Sequence, residues 1–521
     1  MTTFYDKTRR WFGQLAYYFD RLNVDVNSIF DKVARKESAI PHIFGILMLY
    51  MAIALVFPYL VALYYGEDPR PWIFPISLCL VSGILLMLRY RSPENTRPTE
   101  AMFVVATGWL ALTVMGAIPF VLYGMSVVDA MFEAMSGFTT TGSSIMINIE
   151  SWPKSILFWR SFMQWLGGAG VIMIFVTVLP MLGVGGRNLF KNEFPGLDVQ
   201  NFSARIQEEA RKFHYIYGFL SLVMVVLLLF TGIGVFDSFC VMFSSMSTGG
   251  LSPHSESIAY YASSSVEWIV IIFMFLAGTN FYLHFQAITT RDPNRYFKNS
   301  EFRLYLGIVL VATAIVTAFL WGKEFTNIEE GVRTSMFHVV SLMSSTGFAT
   351  TNYIAWDQAV VFLILALIVI GGSTGSTAGG IKVARFYLAR EFIASTLHKT
   401  VHPRSIFTVK IDGRPLSQEA MSSVVAMVMC YLATAMVAVV ALILIGIDPT
   451  TSISATIATL SNAGPGLGEV GPYGSYGGLP DAAKVVLTFT MWAGRLEFIS
   501  VLVLFTPVFW HELMRYREKY V

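Results

Sequence analysis

At 521 residues the chain is long enough for two or three soluble domains, but 55% hydrophobic content against 13% charged residues excludes an ordinary water-soluble globule. A formal net charge of +2 averages over segments that never meet and gives no ground for a nucleic-acid partner. Three cysteines, Cys79, Cys240 and Cys430, lie far apart in apolar stretches, so neither a disulfide framework nor a zinc site is expected.

The first forty or so residues mix Asp6, Asp20, Asp25, Asp31 and Glu37 with basic residues and lack a small-residue cleavage site, so they read as a cytoplasmic tail. Two leading membrane spans follow at about 42–65 and 71–90. Further spans are expected near 100–122, 155–182, 213–232, 264–288, 302–321, 358–390, 418–446 and 482–510, about ten crossings in all. Both termini then share one side. The basic residues agree: of 36 Lys and Arg, only Arg70, Lys154, Lys323, Arg333 and Lys484 fall on the opposite side, with Arg160 and Arg495 inside spans. The positive-inside rule therefore puts both termini in the cytoplasm of a multi-pass protein.

Between the third and tenth spans a unit recurs at intervals of roughly a hundred residues. A span leads to an apolar stretch too short to cross, then to a small polar strip containing glycine, then to another span. The strips are 138–144 (FTTTGSS), 245–251 (SMSTGGL), 344–350 (SSTGFAT) and 461–467 (SNAGPGL). Each short stretch opens with acid, at Asp129, Asp237, Glu329 with Glu330, and Asp448 before Pro449, as a helix start at an N-cap or first turn requires. The fold class is thus an all-α integral membrane protein, about ten transmembrane helices plus four re-entrant pore helices, with a fourfold pseudo-repeat around a central ion pore. The units divide as 1–98 for the tail and leading helices, then 99–185, 186–290, 291–398 and 399–521 for the four repeats.

Non-helical backbone at membrane depth is tolerated only where protein buries it or water lines it. Strips of this kind around one axis offer backbone carbonyls to a dehydrated cation, and the helix C-termini aimed at them add partial negative charge. The expected filter residues are Thr141, Gly142, Thr248, Gly249, Thr346, Gly347, Ala463 and Gly464.

The arrangement resembles the Trk/Ktr/HKT superfamily of potassium transporters, and the two extra leading spans make it similar to the TrkH branch. The resemblance rests on the four strips, on 159–168 (WRSFMQWLGG), on 494–497 (GRLE) and on the run Gly371, Gly372, Ser373, Thr374, Gly375, Ser376, Thr377, Ala378, Gly379, Gly380, Ile381, Lys382. It implies that Gly142, Gly249, Gly347 and Gly464 are the filter glycines, and that glycine in all four repeats favours K+, with Rb+ passing nearly as well. It also implies that 371–380 is an intramembrane gating loop. A homodimer in a prokaryotic cell membrane, with a cytoplasmic TrkA-type nucleotide-binding regulatory ring, belongs to the same expectation. The basic loops near 187–212 and 382–414 are candidate docking surfaces for the ring or for anionic membrane lipids.

The glycine run has Walker-like spacing at Gly375 and Gly380, but Ile381 stands where the lysine belongs and no Ser or Thr follows Lys382. Arg495 inside a span either pairs with Glu497, Glu133 or helix carbonyls, or faces the pore as a barrier to cations. Arg160 is expected to snorkel to an interface, and Glu133 is either a structural partner or part of the outer field. His284 and His338 read as packed or hydrogen-bonded within helices, and no catalytic cluster is evident, so the chain is expected not to be an enzyme.

Overall fold

The computed structural model describes residues 36–91, 98–177, 202–402, 410–411, 414–415 and 418–514. The tail reading and much of the basic loop at 187–212 lie outside the described residues. Helices α1 (Ala39–Tyr65) and α2 (Arg70–Arg89) form a leading hairpin, turned by Gly66 in the left-handed region and packed closely along the pair. A side chain on Gly83 would run into Leu49, so small residues set the close approach of these two helices.

The recurring unit appears next as α3 (Pro98–Leu122), the short α4 (Val127–Phe138) and α5 (Lys154–Thr177). It continues with α6 (Phe202–Phe230), the short α7 (Val235–Met246) and the kinked pair α8 (Ser264–Ala277) and α9 (Phe281–Thr290). After the small α10 (Asn294–Lys298) come α11 (Ser300–Leu320), the short α12 (Ile328–Met343), and α13 (Gln358–Ile370) with α14 (Val383–Val401). Last are α15 (Gln418–Ile445), the short α16 (Pro449–Leu460), α17 (Asp481–Arg495), α18 (Ile499–Leu502) and α19 (Pro507–Met514). Two-residue strand pairings at 36–37 with 90–91 and at 410–411 with 414–415 are the only named ladders among the described residues.

Six of these helices, α1, α2, α3, α6, α11 and α15, are long and apolar enough to cross a membrane, and α8 with α9, bent by 97°, makes a seventh. The other three expected crossings are α5, α13 with α14, and α17 to α19. Those carry Arg160 and Gln164, the break at 371–382 and the break after Arg495, so polarity and interruption are confined to helices that back onto the strips. An apolar outer face is easy to see on α15, where Met429, Leu432, Met436, Val437 and Leu444 are exposed. By contrast the last two turns of each short helix are almost wholly buried.

The helix starts differ in detail from the expectation. Asp448 is the true N-cap of α16, accepting from Thr451 N, with Pro449 at the first helical position. In α4 and α12 the caps are Ser126 and Asn327, and α7 is preceded by Gly234 without a side-chain cap. Asp129, Asp237 and Glu329 stand instead in the first turn, where a carboxylate still complements the helix dipole.

Candidate functional site

Each short helix passes into its strip through the same turn. The cap residues Thr139, Ser247, Ser344 and Ser461 donate their N–H to the carbonyls of Met135, Phe243, Val340 and Ile457. One residue on, Thr140, Thr248, Ser345 and Asn462 adopt left-handed backbone, with φ of 52°, 54°, 59° and 52°. Next, Thr141, Gly249, Thr346 and Ala463 donate back to Ser136, Ser244, Ser341 and Ala458. Then come Gly142, Gly250, Gly347 and Gly464, with φ of 85°, 75°, 84° and 84°, a conformation costly for any residue with a Cβ.

This alignment corrects the second strip. Gly250, not Gly249, is the counterpart of Gly142, Gly347 and Gly464, and Thr248 is the counterpart of Thr140 rather than of Thr141. The adjacent pair of glycines hid the register, which only the cap at Ser247 fixes.

The strips close into a ring. A Cβ on Gly142 would overlap the carbonyl oxygen of Gly249, one on Gly250 that of Thr346, and one on Gly347 that of Ala463, while one on Gly464 would press on that of Thr141. The contacts therefore run from the first strip through the fourth and back to the first. Gly142, Gly250, Gly347 and Gly464 all line a single cavity of about 370 Å³, together with residues that include Ser143, Leu251, His254, Pro465 and Glu469. No carboxylate stands in the ring itself.

Side chains behind the ring hold it in shape. Gln164 on α5 donates from Nε2 to Gly249 O at 2.7 Å and accepts from Leu251 N at 3.1 Å, clamping the second strip. Ser244 and Ser341 donate to the carbonyls of Leu251 and Phe348, each at 2.7 Å, at equivalent places in the second and third strips. Gly464 O accepts from Tyr476 Oη at 2.8 Å and from Ser143 Oγ at 3.0 Å, and Asn462 Nδ2 donates to Thr141 Oγ1 at 2.9 Å, joining the fourth strip to the first.

Behind the first strip lies a fully buried ion pair. Arg160 Nε donates to Glu133 Oε1 at 2.6 Å, and Glu133 also accepts from Ser144 Oγ at 3.1 Å and Ile145 N at 3.0 Å. Arg160 therefore does not snorkel to an interface: it is 1% exposed and completes the wall of the strip. Glu133 takes its structural reading. His338 and His284 are packed as expected, with His338 Nδ1 2.9 Å from Thr334 O and His284 bridging Leu276 O and Tyr296 Oη.

The glycine run lies directly beneath this ring. Its ends are stapled together, Ile381 N to Val369 O, Lys382 N to Ile370 O at 2.8 Å, and Val383 N to Gly372 O, with Gly371 against Gly379 too tightly for a side chain. Thr377 donates from Oγ1 to Met246 O, accepts from Thr248 Oγ1 at 3.3 Å, and donates its N–H to Ala277 O. Gly379 N donates to Ser345 Oγ at 2.6 Å and its Cα abuts Ser461 O. The loop thus meets the turns that follow α7, α12 and α16. Ser376 Oγ closes a turn on Ser373 O, while Gly371, Gly372, Thr374, Gly375, Ala378 and Gly380 supply the backbone between these anchors.

Arg495 reaches the loop and not an acid. Nη1 donates to Thr377 O at 2.8 Å, whereas Nε and Nη2 have no hydrogen-bond partner among the described residues. Glu133 is taken by Arg160. Glu497 binds Arg385 at 2.6 Å and lies 3.6 Å from Lys382 Nζ, so Lys382 anchors the loop's end away from the ring. Glu497 and Phe498 are both left-handed, which breaks the crossing between α17 and α18. Sequence reading missed Gln164, Tyr476 and Asn462 as supports, since the partners of Gln164 and Asn462 are remote in the chain and none of the three stands in a motif with ligand spacing.

The family model for TrkH, described as "Cation transport protein", matches residues 73–512. The Trk system potassium uptake protein TrkH of Salmonella typhimurium (strain LT2) is 34% identical over 484 residues, covering 91% of this chain and 99% of that protein. The protein of the same name from Escherichia coli K12 is 34% identical over 481 residues, and the Trk system potassium uptake protein TrkI of Halomonas elongata 30% over 491. Among solved structures, the crystal structure of the potassium transporter TrkH from Vibrio parahaemolyticus superposes with a TM-score of 0.83 at 33% identity, covering 90% of this chain and 99% of that one. With its ring of strips, its loop beneath them and relatives matched along nearly their whole length, this chain belongs to the TrkH family of cation transport proteins, a family of transporters and not of enzymes.

Proposed function

We propose that this chain is the pore-forming subunit of a potassium uptake system, passing K+ and Rb+ inward through the ring of strips, down the electrochemical gradient. The observation that carries this reading is the closed circuit of glycine-to-carbonyl contacts among the strips. A dehydrated cation on the ring axis exchanges its water ligands for backbone oxygens, and the absence of carboxylates from the ring lets it leave again. The C-terminal ends of α4, α7, α12 and α16, all converging on the ring, add partial negative charge without a fixed anion.

The loop at 371–382 gates the path, and Arg495 acts with it by holding the Thr377 carbonyl and placing positive charge beneath the ring. The relatives' names, which speak of a Trk system, support further components, and the control of this chain is assigned to a cytoplasmic TrkA-type nucleotide-binding ring. The subunit works as a homodimer in a prokaryotic cell membrane, both termini cytoplasmic, as the distribution of Lys and Arg supports.

The test is Rb+ uptake by proteoliposomes that contain only this chain, with K+ or Na+ as competitor. K+ is expected to inhibit far more than Na+. Equal competition would leave a pore but remove its potassium preference, and the rival reading as a sodium-carrying or non-selective path would replace it.

A further inference from the structure

The loop beneath the ring is fixed at one further place, by a residue that the strip and glycine motifs leave out. Glu301 stands in the first turn of α11, and its Oε1 accepts the backbone N–H of Thr374 at 2.6 Å. It is a part-buried carboxylate bonded to a loop amide 73 residues away. The residues on either side of Thr374 are held from a different element. Ser373 N donates to Gly278 O at 2.9 Å, and Gly375 O accepts from Phe281 N at 3.1 Å, both at the kink between α8 and α9.

These anchors share a lever. His284 on α9 bridges Leu276 O of α8 at 2.9 Å and Tyr296 Oη of α10 at 2.7 Å. The kink and α10 therefore move together, and α10 leads through Asn299, the N-cap of α11, into Glu301. A displacement of the hairpin α9–α10 would pull on Ser373, Thr374 and Gly375 at once, through short polar links and not through yielding apolar contacts.

We propose that Glu301 is a positioning residue that latches the intramembrane loop closed against the movement of the hairpin α9–α10. This rests on the gating role proposed for the loop. A hydrogen bond from an amide to a carboxylate is among the stronger kinds, so its loss should free the loop substantially.

The test combines two readouts on the full chain in lipid nanodiscs or proteoliposomes without any regulator. Hydrogen exchange of peptides covering 372–376 reports the Thr374 amide, and Rb+ uptake reports conduction. Glu301→Ala should speed exchange there on the order of tenfold and raise uptake several-fold. Glu301→Gln keeps an acceptor oxygen in place and should stay near the parent in both. Unchanged exchange in Glu301→Ala, or faster exchange with no rise in uptake, would overturn the latch. A silent parent that conducts once Glu301→Ala is made would support the latch, and no uptake by either chain would sink the transport reading, while the exchange arm alone still decides whether Glu301 holds the loop.

Discussion

Glycine at the ring is required by two independent causes, a left-handed backbone and a neighbouring carbonyl where Cβ would go, and these separate Gly250 from Gly249. Gly250→Ala meets the carbonyl of Thr346, a backbone atom that cannot move without distorting the third strip, and adopts a conformation that costs an L-residue roughly 1–2 kcal/mol. We expect it to lower Rb+ uptake on the order of tenfold or more. Gly249→Ala meets only the side-chain end of Gln164 and should lose less. The opposite ranking would restore the register read from sequence. Arg160 makes a second case at this scale. Arg160→Ala leaves Glu133 charged, buried and short of its main partner, a loss of about 3–5 kcal/mol for pairs of this kind. Thermal unfolding in detergent should show a large drop for the single variant and partial recovery when Glu133→Gln is added. Equal stability of the two variants would show that the pair does not hold the first strip.

Elements were legible in the sequence wherever a membrane imposes a period or a length. The spans at 42–65, 71–90 and 302–321 appear within a few residues as α1, α2 and α11, because about 20 apolar residues in a row have few other solutions. The short helices were legible from recurrence and from their acidic starts, although only Asp448 proved to be a cap, since Ser126 and Asn327 compete for that position with their own short side chains. Less legible were the breaks. A glycine run announces the loop at 371–382, but nothing in Glu497 and Phe498 announces two successive left-handed residues, which tertiary contacts around Arg385 and Lys382 impose. Partners separated by more than 300 residues, such as Asn462 with Thr141, leave no mark on a single sequence. The loop itself carries the prediction at this scale. Arg495→Ala removes the bond to Thr377 O and the positive charge beside it, so Rb+ uptake should rise several-fold. Uptake equal to or below the parent, in protein that elutes as the parent does, would confine Arg495 to a structural part.

At the scale of the molecule, four unequal repeats share one turn geometry but differ in what supports it: an ion pair behind the first strip, a glutamine behind the second, a serine behind the third and a tyrosine above the fourth. Such a ring has approximate and not strict fourfold symmetry, and an ion on its axis would meet oxygens held with different stiffness. We expect a clear preference for K+ over Na+, but a smaller one than four identical strips would provide. The most direct measurement is a structure of the whole protein in Rb+, read for anomalous or difference density on the axis of the strips. The account predicts a bound ion enclosed by all four strips at the level of Gly142, Gly250, Gly347 and Gly464, and loss of that density in Gly250→Ala. An ion found only in the outer cavity, with nothing on the axis, would contradict it.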